Sequence, residues 1–503
     1  MSKFLESKPV RGAVKLWQGS GCCAVLDKVG AGGGRLLRES YFWQLVRRDG
    51  ILASDWEDSR LCMALSWALN LPGAIFAFLR RKCPRFFENS FFLRLLTALG
   101  DRSDLLLALL LGIMLIAPHA VWNNLYTMLG VLAILGIQAF SRRPGALKLD
   151  AVSPGPWVAL FLIGILRAML TVELQPIRLG FRFCAFHVTG MLLALTLIST
   201  VDSYKNLKRL LWIVYIGITV ASIYGCYQSY VGVEIKASQQ DMLLNAGMPG
   251  RIYSFFDNPN NFAELIVMTV PLGITLILNA DSHRERIYAI LCLLPCIASL
   301  GFTYSRSSWI GFVLAVMVFC ALWRWKLTPL LVLAGICCLP ILPDTIIHRI
   351  LTIGNKSDSS SQYRVAIYNS AIRLIKDFWF GGAGLGSDTL YQVFKLYPTM
   401  YDGNWPLHCH NNYLQVWAEM GLFGIIPMIG MVLRPFRTGA AKLFRADKKL
   451  RKVLAASLGS FAGILLISMV EYTWYYPRNM FFFWFTFGMV TTCVKLIKNG
   501  EKT

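Results

Sequence analysis

The sequence predicts an all-α, polytopic membrane protein of about twelve transmembrane helices, with a large extracytoplasmic loop that contains amphipathic helices. Three observations lead there. Hydrophobic residues make up 55% of the chain against 16% charged, and mean hydropathy is +0.51, more apolar surface than a soluble domain carries. Apolar runs of about 20 residues, the length an internally hydrogen-bonded helix needs to cross hydrocarbon, recur from Leu105 onward. Every second connection between these runs is basic, as the positive-inside rule demands.

In chain order, residues 1–103 form a basic extension expected in the cytoplasm or on the membrane surface. Its start, MSKFLESKPVRGAVKLWQGSG, has no apolar core followed by a small-residue cleavage site and does not read as a signal peptide. Further on, LCMALSWALNLPGAIFAFLRRKCPRFF is apolar for about 18 residues, but Pro72 and Gly73 interrupt it. An interfacial helix or a re-entrant hairpin is therefore expected there in preference to a span. Residues 104–343 hold nine spans, near 104–119, 121–140, 156–172, 183–200, 209–227, 262–279, 287–304, 308–323 and 327–343. The loop 344–411 follows, then three spans within 412–496, near 412–433, 453–471 and 480–496, and a tail at 497–503.

The basic connections hold Arg142, Arg143 and Lys148, then Lys205, Lys208 and Arg209, then Arg284 and Arg286, then Arg324 and Lys326, then the stretch from Arg434 to Lys452. With Lys495, Lys498 and Lys502 they fall on one side, which the rule assigns to the cytoplasm together with both termini. The long connections 228–261 and 344–411 then lie outside, where loops of that length tend to carry function. The net charge of +22 fits anionic lipids as partners rather than nucleic acid. The 13 cysteines are scattered, mostly within apolar runs such as those of Cys292, Cys296, Cys337 and Cys338, and outline no disulfide or zinc framework.

Chemistry concentrates where the second long loop meets the membrane, in WPLHCHNNYLQVWAEMGLFG. His410 and Asn411 are followed by Gly421 and Gly424, an H-N, nine-residue, G-x-x-G pattern. A histidine there exchanges protons near neutral pH or simply bonds a headgroup, and glycines admit another helix or a lipid tail. His408 and His410 flank Cys409, but residues two apart are expected to point apart, and no further ligands complete a metal shell. Arg306, in FTYSRSSWIG, stands at the outer mouth of the bundle with Ser305, Ser307 and Ser308, a set that suits an oxyanion. Arg364 opens an amphipathic surface helix whose Val365, Ile367, Tyr368, Ala371, Ile372 and Ile375 recur at helical spacing, ended by Gly381 and Gly382. The GAGLG turn behind it has no preceding strand and does not read as a nucleotide loop. Arg251 and SFFDNPNNFAEL form a further element in which Asp257 or the asparagines cap a span, and Glu264, a turn inside, is functional or pairs with an arginine.

In order along the chain, FFDNPNNFAEL, TYSRSSWIG, YR with a helix running into FWFGGAGLGS, and HNNYLQVWAEMGLFG resemble the O-antigen ligase and polysaccharide polymerase superfamily of bacterial membranes. The motifs cover 250–430; the N-terminal hundred residues lie outside the resemblance. The resemblance implies a membrane architecture of the glycosyltransferase C type in the bacterial inner membrane. It further implies transfer of a glycan from an undecaprenyl diphosphate donor to a glycan, lipid or protein acceptor on the outer face. Neither metal nor nucleotide cofactor is implied. By motif, Arg306 and Arg364 match the arginines that hold the donor diphosphate, and His410, in register with Gly421 and Gly424, matches the catalytic histidine. A single base without an evident nucleophile implies inversion at the anomeric carbon. Ligase, polymerase and protein oligosaccharyltransferase remain open, beside two alternatives. One is a polyprenyl-linked glycan flippase that uses the arginines for binding alone. The other is a cell-wall glycan polymerase using a loop carboxylate, for which Asp358, Asp377, Asp388 or Asp402 are the candidates.

Overall fold

The computed structural model describes residues 24, 28, 56–142, 147–171, 177–235, 247–353, 359–400, 403 and 405–500. The expectations for residues 1–55, Arg143, Asp358, Asp402 and the middle of the 228–261 connection lie outside these. Every regular element among the described residues is helical, which agrees with the expected class.

Helix α1 (Arg60–Lys82) runs unbroken through Pro72 and Gly73, correcting the expected interruption. Proline removes one N–H, but in an apolar setting the flanking hydrogen bonds persist because little else can satisfy those groups. Two short helices follow, α2 (Pro84–Asn89) and α3 (Phe91–Gly100), with the Ser90 hydroxyl accepting from Leu93 N–H to cap the second. Nine helices then coincide with the nine spans expected before the large loop. These are α4 (Ser103–Ile116), α5 (Asn124–Gln138), α6 (Gly155–Met169), α7 (Ile177–Thr200), α8 (Tyr204–Val231), α9 (Pro259–Leu278), α10 (His283–Phe302), α11 (Arg306–Arg324) and α12 (Leu327–Cys338). The loop holds α13 (Asp344–Leu351), α14 (Ser359–Phe378) and α15 (Ser387–Phe394).

The single span expected at 412–433 is two helices, α16 (Asn412–Met420) and α17 (Leu422–Leu443), because Gly421 turns the backbone at φ 60° and ψ −146°. Helices α18 (Lys448–Ile467) and α19 (Pro477–Gly500) complete the bundle. Among the described residues eight helices are long and apolar enough to cross a membrane: α1, α7, α8, α9, α10, α11, α18 and α19. Seven of the twelve expected spans meet that measure; α4, α5, α6 and α12 are shorter. Helix α17 carries Arg434, Arg437 and Lys442 in its second half.

Two packings position the site. Helix α19 is the central post, with every residue from Arg478 to Lys495 buried, and α7 meets it where Gly190 makes room for the Trp484 ring. Helices α11 and α18 pack backbone to backbone through small residues. A Cβ on Gly463 would meet the Gly311 carbonyl at 2.6 Å, and one on Gly459 would meet that of Ala315 at 2.3 Å. The contact brings the start of α11, which is Arg306, beside the chain that leaves α18. On one face of the bundle the basic connections gather: Asp202 accepts from Lys148 and Lys495, and Asp281 from Lys208 and Lys449. The large loop packs at the opposite face, where Arg182 of α7 pairs with Asp388 of α15 at 2.7 Å.

Candidate functional site

Helices α9, α14 and α16 and the connection after α18 converge on a carboxylate that the sequence reading does not single out. Glu471 lies in the short connection between α18 and α19 and is 7% exposed. Its Oε1 pairs with Arg364 Nη2 and accepts from Asn260 Nδ2 at 3.1 Å. Its Oε2 faces His410 Nδ1 at 3.4 Å. Burial raises a carboxyl, yet Arg364 and then His410 outweigh it and hold Glu471 at about 2, so it stays ionised at neutral pH.

Arg251 joins through Asn260, donating from Nη2 to Oδ1 at 2.6 Å, while its Nε donates to the Thr303 carbonyl at 2.8 Å. Burial and the like charges of Arg349, Arg364 and Arg306 push it down to about 9 against the pull of Glu471. Four guanidiniums and one carboxylate therefore lie within electrostatic reach of one another. Arg306 follows the turn Thr303–Ser305 and donates from Nη1 to the Thr352 carbonyl and hydroxyl at 3.0 and 3.3 Å. Arg349, on α13 and 7% exposed, donates from Nε to the Tyr304 carbonyl at 3.4 Å; the sequence reading missed it. Tyr304 itself sits at φ 50°, which turns the chain sharply between α10 and α11. Of the serines expected to face an oxyanion, Ser305 and Ser308 bond each other at 3.0 Å.

His410 also has a left-handed backbone, φ 46°. Its N–H donates to His408 Nδ1 at 3.2 Å, and the two rings come within 4.2 Å, where residues two apart were expected to diverge. Burial, then the neighbouring His410, push His408 down to about 3, and its ring rests against Tyr475 and Tyr472. A neutral ring already engaged by a backbone N–H makes His408 a support for His410. Tyr368 of α14 donates toward the carbonyls of His410 and Met469, each at 3.3 Å. Among the described residues no group of three or more His, Cys, Asp or Glu is arranged to hold a metal ion.

The remaining expected residues separate into supports and bystanders. Asn411 caps α16, its side chain accepting from Tyr413 N–H and Leu414 N–H, and donates from Nδ2 to the Met469 carbonyl at 2.7 Å. Gly421 is approached by the loop turn rather than by a helix or lipid tail: a Cβ there would meet the Phe380 carbonyl oxygen at 2.2 Å. Three backbone bonds fasten this contact, Ala383 N–H to the Ala418 carbonyl at 2.8 Å, Gly384 N–H to that of Glu419 at 3.1 Å, and Leu422 N–H to that of Phe380 at 3.0 Å. The Gly-rich turn is thus a clamp on the break between α16 and α17. At Gly424 a Cβ would meet the Met420 side chain at 2.5 Å, and Gly164 of α6 packs against the Phe423 carbonyl next to it. Among the described residues Glu264 pairs with no arginine; its Oε2 accepts from Asn479 Nδ2 at 2.5 Å inside the bundle. Asn258, not Asp257, caps α9, while Asp257 faces His119 at 3.7 Å. Of the loop carboxylates, Asp377 accepts from the Tyr397 hydroxyl at 2.5 Å and Asp388 pairs with Arg182, both away from Glu471.

No curated protein matches the chain. Residues 289–429 match the family model described as O-antigen ligase, a stretch that includes Arg306, Arg364, His410, Asn411, Gly421 and Gly424 and leaves Arg251, Glu264 and Glu471 outside. That match, on a chain whose described regular elements are all helical and include eight fit to cross a membrane, bears out the resemblance to the O-antigen ligase and polysaccharide polymerase superfamily and supports a glycan ligase or polymerase role in polysaccharide biosynthesis.

Proposed function

We propose that this chain transfers a glycan from an undecaprenyl diphosphate carrier to an acceptor hydroxyl on the outer face of a bacterial inner membrane, without a metal ion. The observation that carries the reading is the convergence of Arg364 and His410 on Glu471, with Arg251, Arg306 and Arg349 in electrostatic reach. A diphosphate leaving group already bears its charge, so fixed guanidiniums can stabilise it as the glycosidic bond breaks. Arg364 keeps donors beyond those it gives Glu471, since a guanidinium has five N–H groups. Arg306, half-buried at the start of α11, is the second donor to the diphosphate in this reading.

The remaining task is to take a proton from the acceptor hydroxyl. His410 suits it: with Nδ1 toward Glu471, Nε2 is left to accept, and the carboxylate steadies the imidazolium that forms. Direct displacement by the deprotonated hydroxyl inverts the anomeric carbon. Acceptors of glycan, lipid or protein nature all fit this step, because the base acts on a hydroxyl whatever it is attached to.

The test is turnover of a purified undecaprenyl diphosphate-linked glycan in nanodiscs, with chelator present. Wild type is expected to release undecaprenyl diphosphate only when acceptor is added. His410→Ala is expected to lose roughly 100-fold or more, the share a general base supplies, and Arg364→Ala a comparable amount. Full activity in His410→Ala sinks the base assignment, chelator-sensitive turnover sinks the metal-free route, and acceptor-independent translocation favours a flippase.

A further inference from the structure

Helix α1 has the length and hydropathy of a membrane span. Its contacts describe something else. At its start, the Trp56 indole N–H donates to the Leu149 carbonyl at 3.2 Å, and its ring fills the space a Cβ on Gly155 would need. Beside it Glu57 pairs with Lys498 at 2.5 Å. Midway, Asn70 both donates to the Leu147 carbonyl and accepts from Leu147 N–H, each at 2.9 Å, and Gly73 faces Ala139. At its end, the Phe76 ring lies 4.0 Å from that of Phe140, and Arg80 donates to the Phe140 carbonyl at 2.5 Å.

Start, middle and end of the helix therefore all touch the connection between α5 and α6 or the last turn of α19, which belong to the lysine-rich face. A helix that crossed the bilayer would place its ends on opposite faces. The burial pattern agrees. Cys62, Ser66, Asn70, Gly73, Phe76, Ala77 and Arg80 are the less exposed positions, one stripe at helical spacing along the whole length. Around that stripe Leu61, Leu65, Trp67, Ile75 and Phe78 are bare, and Trp67 is 68% exposed. So much uncovered apolar surface needs lipid. Directly after it, Arg81, Lys82 and Arg85 stand exposed beside Phe86, Phe91 and Phe92, with Glu88 the only acid between Arg80 and Arg94.

We propose that α1 lies in the plane of the membrane on the lysine-rich face, and that with α2 and α3 it forms a belt docked on anionic phospholipid. Its apolar sides sink into the boundary between headgroups and acyl chains. The basic run at its end meets the headgroup phosphates, the partner that charge complementarity selects. The proposal does not depend on the transferase reading.

The test uses the full chain with Asp58→Cys, an exposed position just before the helix, beside the native, exposed Cys83, and reads modification of the two peptides by mass spectrometry. An impermeant maleimide is expected to reach both positions from the lysine-rich side and neither from the other. Modification of the two from opposite sides overturns the in-plane helix. For the lipid, the chain is reconstituted in phosphatidylcholine vesicles with or without phosphatidylglycerol. Cys83 is expected to react roughly fivefold more slowly with the anionic lipid, and the triple variant Arg81→Gln, Lys82→Gln, Arg85→Gln to lose that difference. Equal rates in both lipids, or protection that grows with protein concentration instead and so reports a second copy, overturn the belt. Because Arg80 and the stripe residues are untouched, a folding defect is not the expected cause of either result.

Discussion

Glu471→Gln is the sharpest probe of the site, because it keeps the shape of the side chain and removes the charge that Arg364 and His410 share. Holding the carboxyl at about 2, against an ordinary 4.5, corresponds to roughly 3 kcal/mol in favour of the ionised, folded arrangement. The folded-state value is depressed, so this contribution is fully present above the ordinary carboxyl value and fades as pH falls toward about 2. The apparent unfolding temperature of the detergent-solubilised chain, followed from neutral pH to about pH 3, should therefore be lower in the variant at neutral pH and approach wild type in acid. Turnover should fall as well. A charge-assisted hydrogen bond of about 2 kcal/mol, made to the imidazolium that forms during proton transfer, is worth about 30-fold. Parallel unfolding profiles across the whole range, or a turnover within about twofold of wild type, refute the claim that Glu471 holds the site together.

Other expectations follow from the same contacts. Asn411→Ala removes a helix cap and is expected to cost about 1 kcal/mol in apparent stability, with a smaller loss of turnover than His410→Ala; the reverse order makes the asparagine a reactive group rather than a cap. Gly421→Ala forces a methyl into the Phe380 carbonyl at a positive φ and is expected to cost more than about 2 kcal/mol, whereas Gly424→Ala, which crowds Met420 Cβ at 2.5 Å but sits at an ordinary φ, lacks the backbone strain and is expected to cost less; thermal unfolding of the two decides. Glu264→Gln keeps an acceptor for Asn479 and is expected to leave turnover within about threefold, and a larger loss draws Glu264 into the reaction. A cysteine at Lys395, exposed on the large loop, should react with an impermeant label in intact cells, and protection there reverses the orientation read from the basic connections.

What was legible in the sequence was set by one-dimensional physics. Apolar length and the alternation of basic connections give the helices from α4 onward and their common face, since each helix answers to lipid before it answers to its neighbours. Arg306 was read as a costly charge at the mouth of the bundle and Arg364 as the start of a surface helix, while the choice of His410 over His408 rested on the family resemblance alone. Glu471 was not legible, because it falls on the last residue of the expected span 453–471 in no recognised motif; its meaning comes from α18 delivering it to Arg364 and His410. Arg349 escaped for the same reason, sitting on an eight-residue helix whose place is fixed by Tyr304. Gly421 was read as a point of close approach, and it is one, but the positive φ that breaks the span depends on a turn some 40 residues earlier in the chain, which no local pattern reveals. Proline in α1 misled in the opposite direction, since a rule drawn from water overstates the breaking of helices in an apolar medium.

The glycine clamp has a mechanical consequence. Helix α14 and helix α16 run side by side in the same sense, with Arg364 and Tyr368 near His410 at one end and the Phe378–Gly382 turn fastened to Gly421 at the other. The pair is a set of tongs whose rivet is the clamp. At the other end the arms are joined through side chains, Glu471 bridging Arg364 and His410, so that end rests on charge where the glycine end rests on backbone.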